Sequence, residues 1–287
     1  ILKQQYKQIL ATPKPFVKWA GGKRQLISFL NENLPETFGT YYEPFLGGGA
    51  LLFHILIKKN GQKCSISDLN SDLVLAYTTI RDRVDELISS LKSHEKNYQK
   101  DSKSYYYSVR DTNPRSEIEK TSRLIFLNRT CFNGLYRVNL KGKFNVPLGK
   151  YTNPNIVNEE NLHSVSTILQ SSRVSIKCRD FEAVLRDAKK GDLVYFDPPY
   201  QPVSETANFT SYTNKNFTFD DLSRLVELCM KLDSKGCKVL LSNSDSKQVS
   251  DMFAKKPWKV SKIQANRSIN SNSKKRTGHF ELLIKNY

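Results

Sequence analysis

The sequence predicts an α/β fold in which a mostly parallel sheet is interrupted by a mainly helical insertion. Residues 15–85 read as strand, helix, strand and helix, and this alternation resumes at about residue 173. The stretch between them has a different composition, in which cations are mixed with aromatic residues. Because strands that alternate with helices pair in parallel, we expect a Rossmann-like sheet from residues 1–85 and 171–287, with an inserted domain at residues 86–170.

The first half of the sheet contains a glycine turn between a strand and a helix. A short aromatic strand runs through Phe45 into Gly47 and Gly49. An amphipathic helix is predicted directly after it, over residues 50–59. Asp68 follows Gly47 by about twenty residues, at a strand end where an acidic side chain takes ribose hydroxyls in nucleotide-binding folds. The glycines alone are typical of any tight turn, but with Asp68 they favour a nucleotide site.

The remaining elements follow from local signals. A helix is predicted to begin after Thr218, a typical N-cap residue, and to end before Gly236, which favours a helix C-terminus. Further strands are predicted at residues 63–67, 174–177, 192–196 and 237–242. Residues 258–265 and 279–286 are expected to form a terminal strand pair.

A D-P-P-Y tetrapeptide at residues 197–200 has the chemistry to handle a planar amine. The exocyclic amine of a nucleobase is a poor nucleophile because its lone pair is delocalised into the ring. An Asp197 carboxylate and a backbone carbonyl that accept its N–H groups would stabilise the positive charge that develops on the nitrogen. Consecutive prolines fix φ and hold the Pro198 carbonyl in place, and Tyr200 offers a ring for stacking. The alternative is a rigid strand-to-loop turn with a surface carboxylate.

A third motif, at residues 18–23, sets a tryptophan beside lysines and a glycine pair. Trp19 is one of only 2 tryptophans in the chain, so its place in this motif is informative. Its flat apolar face, between the Lys18 and Lys23 cations and next to flexible backbone, is suited to cover a cofactor. For this motif alone, a core tryptophan beside surface lysines is the alternative.

The composition favours a nucleic acid partner. The 287 residues include 45 Lys and Arg against 28 Asp and Glu, a formal net charge of +17, which suits a polyanion. We recognise no signal peptide and no apolar run of about eighteen residues, so we expect a cytoplasmic, nucleoid-associated protein and no membrane partner. The 5 cysteines lack C-x-x-C spacing and the 4 histidines are scattered, which indicates reduced thiols and no metal.

Two basic stretches are expected to contact nucleic acid. In the insertion, cations suit phosphates and aromatic rings suit bases, and residues 139–144 predict a hairpin turn. Lys274, Lys275 and Arg276 follow a run of Ser and Asn with little apolar surface, and we expect them to order over phosphates as a clamp. The respective alternatives are a basic helical subdomain without a reading function and a solvated loop.

Six blocks in one order resemble the Dam family of adenine-specific DNA methyltransferases. They are residues 18–23, 43–49, 68–70, 128–137, 144–147 and 197–200. The likeness runs from about residue 16 to the end of the chain. The order of these blocks is similar to that of the subgroup that places a target-recognition domain between the cofactor motifs and D-P-P-Y. The resemblance implies an S-adenosylmethionine-dependent methyltransferase sheet.

The resemblance, together with the motifs above, implies three groups of site residues. The catalytic group is Asp197, Pro198 and Tyr200. The S-adenosylmethionine group is Trp19, Lys23, Phe45, Gly47, Gly49, Asp68, Asp180, Phe181 and Asp197, with Asp68 on the ribose and Asp180 on the adenine amine. The DNA group is Lys18, Phe132, Asn133, Leu135, Arg137, Asn139, Asn145, Pro147, Lys274, Lys275 and Arg276.

In Dam-like enzymes the hairpin region reads the sequence GATC. The matching positions imply that Arg137 contacts a guanine with both arms of its guanidinium. They also imply that Leu135 and Pro147 lie near a thymine methyl group and that Lys18 reads the first base pair. Residues 132–133 match positions that wedge into the stack left by a flipped adenine.

The predicted reaction is direct methyl transfer from S-adenosylmethionine to adenine N6 in double-stranded DNA, after base flipping, with S-adenosylhomocysteine as product and no metal. A monomer is expected; a restriction endonuclease partner is compatible with the family but is not indicated by the sequence. Two alternatives stay open. One is methylation of cytosine N4 or an amide nitrogen, for which S-P-P-Y or N-P-P-Y is more typical, and the other is a DNA-binding protein with an inactive transferase fold.

Overall fold

One sheet of seven strands organises the residues that the computed structural model describes, which are 12–19, 21–139, 141–200, 217–265 and 279–287. The strands are β1 (Tyr41–Glu43), β2 (Cys64–Asp68), β3 (Val174–Cys178), β4 (Leu193–Phe196), β5 (Lys238–Ser244), β6 (Lys259–Ala265) and β7 (His279–Lys285). Their order across the sheet is β3-β2-β1-β4-β5-β7-β6. The first five are parallel neighbours and β7 is antiparallel to both of its neighbours, so the predicted, mostly parallel α/β sheet is confirmed.

Helices connect the strands within the described ranges. They are α1 (Ile27–Glu32), α2 (Ala50–Lys58), α3 (Ser71–Asp82), α4 (Val84–Lys100), α5 (Ser102–Asp111), α6 (Glu117–Thr130), α7 (Glu159–Ser171), α8 (Val184–Asp187), α9 (Phe219–Ser234) and α10 (Lys247–Met252). The helix predicted after Thr218 is α9, where the Thr218 hydroxyl accepts a hydrogen bond from the Asp221 N–H in a capping box. No described helix combines the length and the apolar character that a bilayer crossing requires.

The last strand occupies a place in the sheet that local sequence signals did not indicate. The terminal pair forms as expected, because β6 and β7 are antiparallel neighbours. However, β7 also pairs with β5, where Leu241 lies opposite Ile284, so it separates β5 from β6. Leu282 and Leu283 point to opposite faces and both are buried, which stabilises β7 inside the sheet.

The sheet separates two hydrophobic cores. Because side chains alternate along a strand, Leu193 and Tyr195 of β4 face one core, while Val194 and Phe196 face the other. Helices α1 to α7 contribute to the first core, and α8 to α10 contribute to the second. This layering leaves the carboxyl ends of the parallel strands β1, β2 and β4 at one edge of the sheet, where the predicted site residues follow them.

The predicted insertion extends the first core. Tyr106 from α5 and Phe126 from α6 belong to the same buried cluster as Tyr41 of β1. Helix α7, at the end of the stretch, contacts α2 and α3, which cover the sheet. The boundaries of residues 86–170 as a separate domain therefore stay a prediction.

Some aromatic and cationic side chains of the predicted insertion bind the protein's own backbone. The Tyr106 ring is buried, and its hydroxyl donates to the Val146 carbonyl at 2.8 Å. Arg129 donates to the Phe16 carbonyl at 2.7 Å, and Arg123 donates to a main-chain carbonyl of α5 at 3.0 Å. These groups connect segments of the chain, so both arginines have a structural role that the composition of the insertion did not indicate.

Candidate active site

The glycine turn joins β1 to α2 and is held by the last residue of β2. The Gly47 N–H donates to Asp68 Oδ2 at 3.0 Å, and the Asn70 N–H donates to Oδ1 at 2.9 Å. Burial raises the pKa of the Asp68 carboxyl, and these backbone donors oppose that effect. A carboxylate has about four acceptor positions, so Asp68 can hold the turn and still accept ligand hydroxyls.

Two positions of the turn require glycine. Gly47 and Gly49 have φ angles of 49° and 67°, in the left-handed region that favours glycine. A Cβ on Gly49 would lie 2.5 Å from the Tyr77 hydroxyl oxygen. A Cβ on Gly47 would lie 3.0 Å from Cδ1 of the Trp19 indole. Trp19 therefore packs directly on the turn, next to the backbone that a nucleotide-type cofactor would approach.

Aromatic rings extend the site from the turn toward the end of β3. The Phe45 and Phe181 rings stack with their centroids 5.2 Å apart. Beside them, Asp180 Oδ1 accepts from the Glu182 N–H at 2.9 Å and from Arg224 Nη2 at 3.1 Å. The structure thus brings Phe45, Asp180 and Phe181 together and adds Arg224, which no local motif indicated because it belongs to α9.

Asp197 directly follows β4, and its side chain is 19% exposed. Lys23 Nζ lies 2.8 Å from Asp197 Oδ1. Burial raises the pKa of Asp197 to about 6, while Lys23 lowers it and Glu281 adds to the rise. The carboxyl group is therefore ionised at neutral pH, as the amine-handling role predicted for it requires.

The D-P-P-Y motif is anchored at both ends. Pro198 is buried, and the Tyr200 hydroxyl donates to Glu281 Oε2 at 2.8 Å. Lys23 Nζ lies 4.8 Å from the centroid of the Tyr200 ring. One face of the ring is therefore next to a cation, and a stacked base would use the opposite face.

Two buried carboxylates near Asp197 were not identified from the sequence as functional residues. Burial raises the pKa of Glu43, the last residue of β1, to about 8, and the Tyr41 hydroxyl donates to it at 2.8 Å. Glu281 lies on β7, with its Oε2 3.7 Å from Lys23 Nζ. Each is the single acidic residue of its strand, with apolar or aromatic neighbours, and an acidic residue in such a position is the signal that could have identified it.

A second group of residues surrounds the turn at Phe132–Gly134. Asn128 is buried and accepts from the Lys18 N–H at 2.7 Å, while its Nδ2 donates to the carbonyls of Lys18 and Gly134 at 2.8 and 3.0 Å. Lys18 Nζ donates to the Tyr151 hydroxyl at 3.3 Å and lies 4.6 Å from its ring centroid. These contacts fix Lys18 beside the turn that carries Phe132 and Asn133.

The turn presents an aromatic side chain at the surface. Phe132 is 41% exposed, which is high for a large apolar residue, and its N–H donates to the Pro147 carbonyl at 2.8 Å. Asn133 has a φ of 55° and is the only non-glycine residue with positive φ among the described residues. Leu135 is half-buried and Pro147 is exposed. The backbone hydrogen bond therefore places Phe132, predicted to enter the base stack, beside Pro147, predicted to meet a thymine methyl group.

The hairpin holds its arginine in a defined orientation. Arg137 Nε donates to Asn145 Oδ1 at 2.8 Å, and Nη2 donates to the Asn145 carbonyl at 3.4 Å. The predicted turn is present, because the Asn139 N–H donates to the Lys143 carbonyl at 2.9 Å. Asn139 Oδ1 accepts from the N–H groups of Lys141 and Lys143, each at 3.0 Å. The Asn139 side-chain oxygen thus closes the turn, a structural role that the DNA assignment did not include.

The two groups meet at one aromatic contact. The rings of Trp19 and Tyr136 have centroids 5.2 Å apart and planes inclined by 31°. Trp19 packs on the glycine turn and Tyr136 precedes Arg137, so this contact joins the glycine turn to the hairpin. The cations at residues 274–276, Lys274, Lys275 and Arg276, lie outside the described residues.

A parallel sheet with a glycine turn held by an acidic strand end, and D-P-P-Y after β4, defines an α/β methyltransferase with a nucleotide-type cofactor site. Residues 19–269 match the family described as D12 class N6 adenine-specific DNA methyltransferase, and the chain belongs to this family. Membership confirms the predicted adenine-specific activity on DNA over the cytosine and amide alternatives, with S-adenosylmethionine as methyl donor.

Named relatives agree with the family. The chain is 45% identical to the Type II methyltransferase M.MjaIII of Methanocaldococcus jannaschii, over 96% of this chain and 99% of the relative. It is 41% identical to the Type II methyltransferase M1.LlaDCHI of Lactococcus lactis subsp. cremoris, over 96% and 95%. It is 31% identical to the DNA adenine methylase of Escherichia coli K12, over 94% of each chain.

Proposed function

We propose that the enzyme methylates the adenine of GATC in double-stranded DNA, after this base has been flipped out of the helix into the site at the end of β4. The observation that carries the proposal is the contact between Trp19 and Tyr136. This contact joins the glycine turn to the hairpin that holds Arg137. Asp197 pairs with Lys23, which belongs to the same motif as Trp19. A site for one base, coupled to a base-reading hairpin, suits a reaction within a short DNA sequence.

The residues around the glycine turn fit S-adenosylmethionine. Gly47 lacks the Cβ that would lie 3.0 Å from Trp19 Cδ1, so the indole packs closely on the turn and both can contact a cofactor bound there. Asp68 would accept the ribose hydroxyls, and Asp180 the adenine amine, with the Phe181 ring as an apolar surface beside it. When bound, the cofactor supplies a methyl group activated by its sulfonium charge.

Asp197 and Pro198 would act on the target amine. The Asp197 carboxylate would accept one N–H of adenine N6, and the Pro198 carbonyl would accept the other. Both contacts strengthen as positive charge develops on the nitrogen, and they favour a tetrahedral amine with its lone pair available. The Tyr200 ring would stack on the flipped base. Because these groups are held in place by Lys23 and the proline pair, little reorganisation is needed during the reaction.

The hairpin would read the bases around the adenine. Asn145 orients Arg137, and a fixed guanidinium fork suits a bidentate contact with guanine O6 and N7. Leu135 and Pro147 would lie against a thymine methyl group, and Lys18 would contact the first base pair. The likeness to DNA adenine methylases, at 31% identity over 94% of the chain, supports this reading.

The turn beside the hairpin would fill the gap left by the flipped adenine. Phe132 is already exposed, so its ring can stack between bases without first leaving a core. Asn133 is held in a left-handed conformation, which is uncommon for a residue with a side chain and clusters at ligand-binding sites.

Methyl transfer to a set of matched duplexes tests this proposal. The labelled-methyl assay would use a duplex with one GATC site and duplexes that differ from it by single base pairs, and the methylated nucleoside would be identified by mass spectrometry. We expect N6-methyladenine, formed far faster in the GATC duplex than in any variant. Transfer that prefers another sequence would contradict the specificity, and a product other than N6-methyladenine would contradict the reaction.

A further inference from the structure

Glu281 places a carboxylate inside the sheet, next to the D-P-P-Y motif. It lies on β7, where its neighbours Leu282 and Leu283 are buried, and its own side chain is only 9% exposed. A carboxylate in such surroundings is costly unless it is paired and hydrogen-bonded. Both of its partners belong to the proposed methyl-transfer site, which suggests that its position serves the reaction.

The partners of Glu281 are Tyr200 and Lys23. The Tyr200 hydroxyl donates to Glu281 Oε2 at 2.8 Å, and Lys23 Nζ lies 3.7 Å from the same oxygen. Lys23 is itself buried, pairs with Asp197 Oδ1 at 2.8 Å and donates to the Gly21 carbonyl at 2.7 Å. A single ammonium group therefore serves two carboxylates.

This sharing matters because Lys23 and a substrate amine would compete for the Asp197 carboxylate. If the Lys23 ammonium moved away from Asp197 with no second partner, it would be left as an unpaired, buried cation, which is strongly unfavourable. Glu281 is close enough to receive it. The contact between Lys23 and Asp197 can then weaken while the ammonium stays paired within the protein.

We propose that Glu281 is a positioning residue for methyl transfer, whose carboxylate holds the Tyr200 hydroxyl and shares Lys23 with Asp197, so that Asp197 can accept the target amine. The inference rests on the proposed roles of Asp197 and Tyr200. Glu281 does not touch the substrate; it acts through these neighbours.

The charged and titratable groups that face Asp197 come from several elements. They are Lys23 from the turn before α1, Glu43 from β1, Tyr195 from β4, Tyr200 after β4 and Glu281 from β7. Among the charged neighbours, Lys23 lowers the pKa of Asp197 and Glu281 raises it. Removal of the Glu281 charge should therefore shift the ionisation of Asp197 to lower pH, and removal of the Lys23 charge should shift it to higher pH.

Substitutions at Glu281 separate its charge from its hydrogen bond. Glu281→Gln keeps an acceptor oxygen and a similar shape but removes the charge, whereas Glu281→Ala removes both. Single-turnover methyl transfer would be measured at saturating cofactor and duplex, between about pH 5 and pH 8. We expect Glu281→Gln to move the acid limb of the rate to lower pH, by up to about one pH unit, and Glu281→Ala to slow transfer about tenfold or more.

A double-mutant cycle tests the contact with Tyr200. Tyr200→Phe removes the hydroxyl that donates to Glu281 Oε2 and that also hydrogen-bonds to Asp197, which is why the cycle with Glu281 is needed. If this hydrogen bond is one way in which Glu281 acts, the loss in the double variant Tyr200→Phe with Glu281→Ala will be smaller than the product of the two single losses. Losses that simply multiply would contradict the role of the Tyr200 contact.

The control is Glu227→Gln on α9, an exposed carboxylate paired with Lys231 at 3.6 Å. It should keep the parental rate and pH profile. Thermal melting of each variant shows whether activity only follows the folded fraction, a result that would make Glu281 structural and overturn the proposal. Parental rates and pH profiles in both Glu281 variants would overturn it too. The proposed function is judged separately. It stands if the parent forms N6-methyladenine and Asp197→Asn does not, and it is contradicted if the parent forms no N6-methyladenine.

Discussion

At the scale of single residues, Asp197 is balanced between burial and a neighbouring cation. Burial favours the protonated carboxyl and raises its pKa to about 6, although Lys23, 2.8 Å away, opposes this effect. The carboxylate is therefore ionised at neutral pH but is less solvated than a surface aspartate. A poorly solvated anion gains more from an amine that becomes cationic, which is the property needed to stabilise the transition state.

The pH dependence of methyl transfer should report this ionisation. Because the raised pKa keeps Asp197 protonated below about 6, the single-turnover rate should be level near pH 8 and fall up to tenfold per pH unit below about pH 6. Asp197→Asn removes the charge at every pH, so we expect a loss of about 100-fold or more and no acid limb from this group. DNA affinity, measured in parallel, should be close to that of the parent. Near-parental turnover in Asp197→Asn would contradict the mechanism.

Arg137 should determine specificity at one guanine. Asn145 holds its guanidinium, so Arg137→Ala should relax discrimination at that base by about 1–3 kcal/mol, measured as the ratio of kcat/KM between GATC and near-cognate duplexes. Lys143→Ala, an exposed cation of the same hairpin, is the control and should weaken all duplexes alike. If Arg137→Ala instead reduced activity on the cognate and near-cognate duplexes in parallel, Arg137 would be a phosphate contact and the specificity role would be wrong.

At the scale of elements, the glycine turn depends on a close approach between α2 and α3. Gly49 and Gly61 both have positive φ angles, of 67° and 76°. A Cβ at Gly49 would lie 2.5 Å from the Tyr77 hydroxyl oxygen, whereas a Cβ at Gly61 would have no atom within 4 Å. Gly61→Ala should lower the free energy of unfolding by about 1 kcal/mol through its backbone alone, and Gly49→Ala by about 1–3 kcal/mol more. Urea denaturation measures both. Equal losses would show that the turn adapts to the added methyl group.

Local sequence signals predicted most of the helices, strands and turns, but few of the contacts between them. The glycine turn, the capping box at Thr218 and the strand before Asp197 each follow from adjacent residues, and they are present. The pairing of β7 with β5 is a long-range contact without a local signal. The partners of Glu281 have no local signal for the same reason, because they are distant in sequence and only the sheet order brings them together.

At the scale of the whole molecule, one hydrophobic core joins the sheet to the helices of the predicted insertion. Asn128 on α6 binds the Lys18 segment, and Trp19 of that segment contacts both the glycine turn and Tyr136. The proposed cofactor site and the proposed DNA-reading hairpin are therefore connected through these contacts. Composition could predict that this region meets nucleic acid, but it could not distinguish surface cations from Arg129, which packs against the chain.

The net charge of +17 should make DNA binding strongly dependent on salt. Replacement of Lys274, Lys275 and Arg276 by alanine should weaken binding to all sequences alike. It should also flatten the slope of log affinity against log salt by up to about 3 units, if all of them neutralise phosphates. Fluorescence anisotropy with cognate and non-cognate duplexes measures both effects. An unchanged slope would show that these cations do not meet the duplex.

The most direct test of the central claim is a map of methylated bases in DNA from a host that lacks its own adenine methylation and expresses this chain. Sequencing that detects modified bases, with the Asp197→Asn variant as background, would locate each one. We expect N6-methyladenine at GATC sites, and none with the variant. N6-methyladenine at a different sequence would contradict the specificity, and methylation by the Asp197→Asn variant equal to that of the parent would contradict the catalytic site.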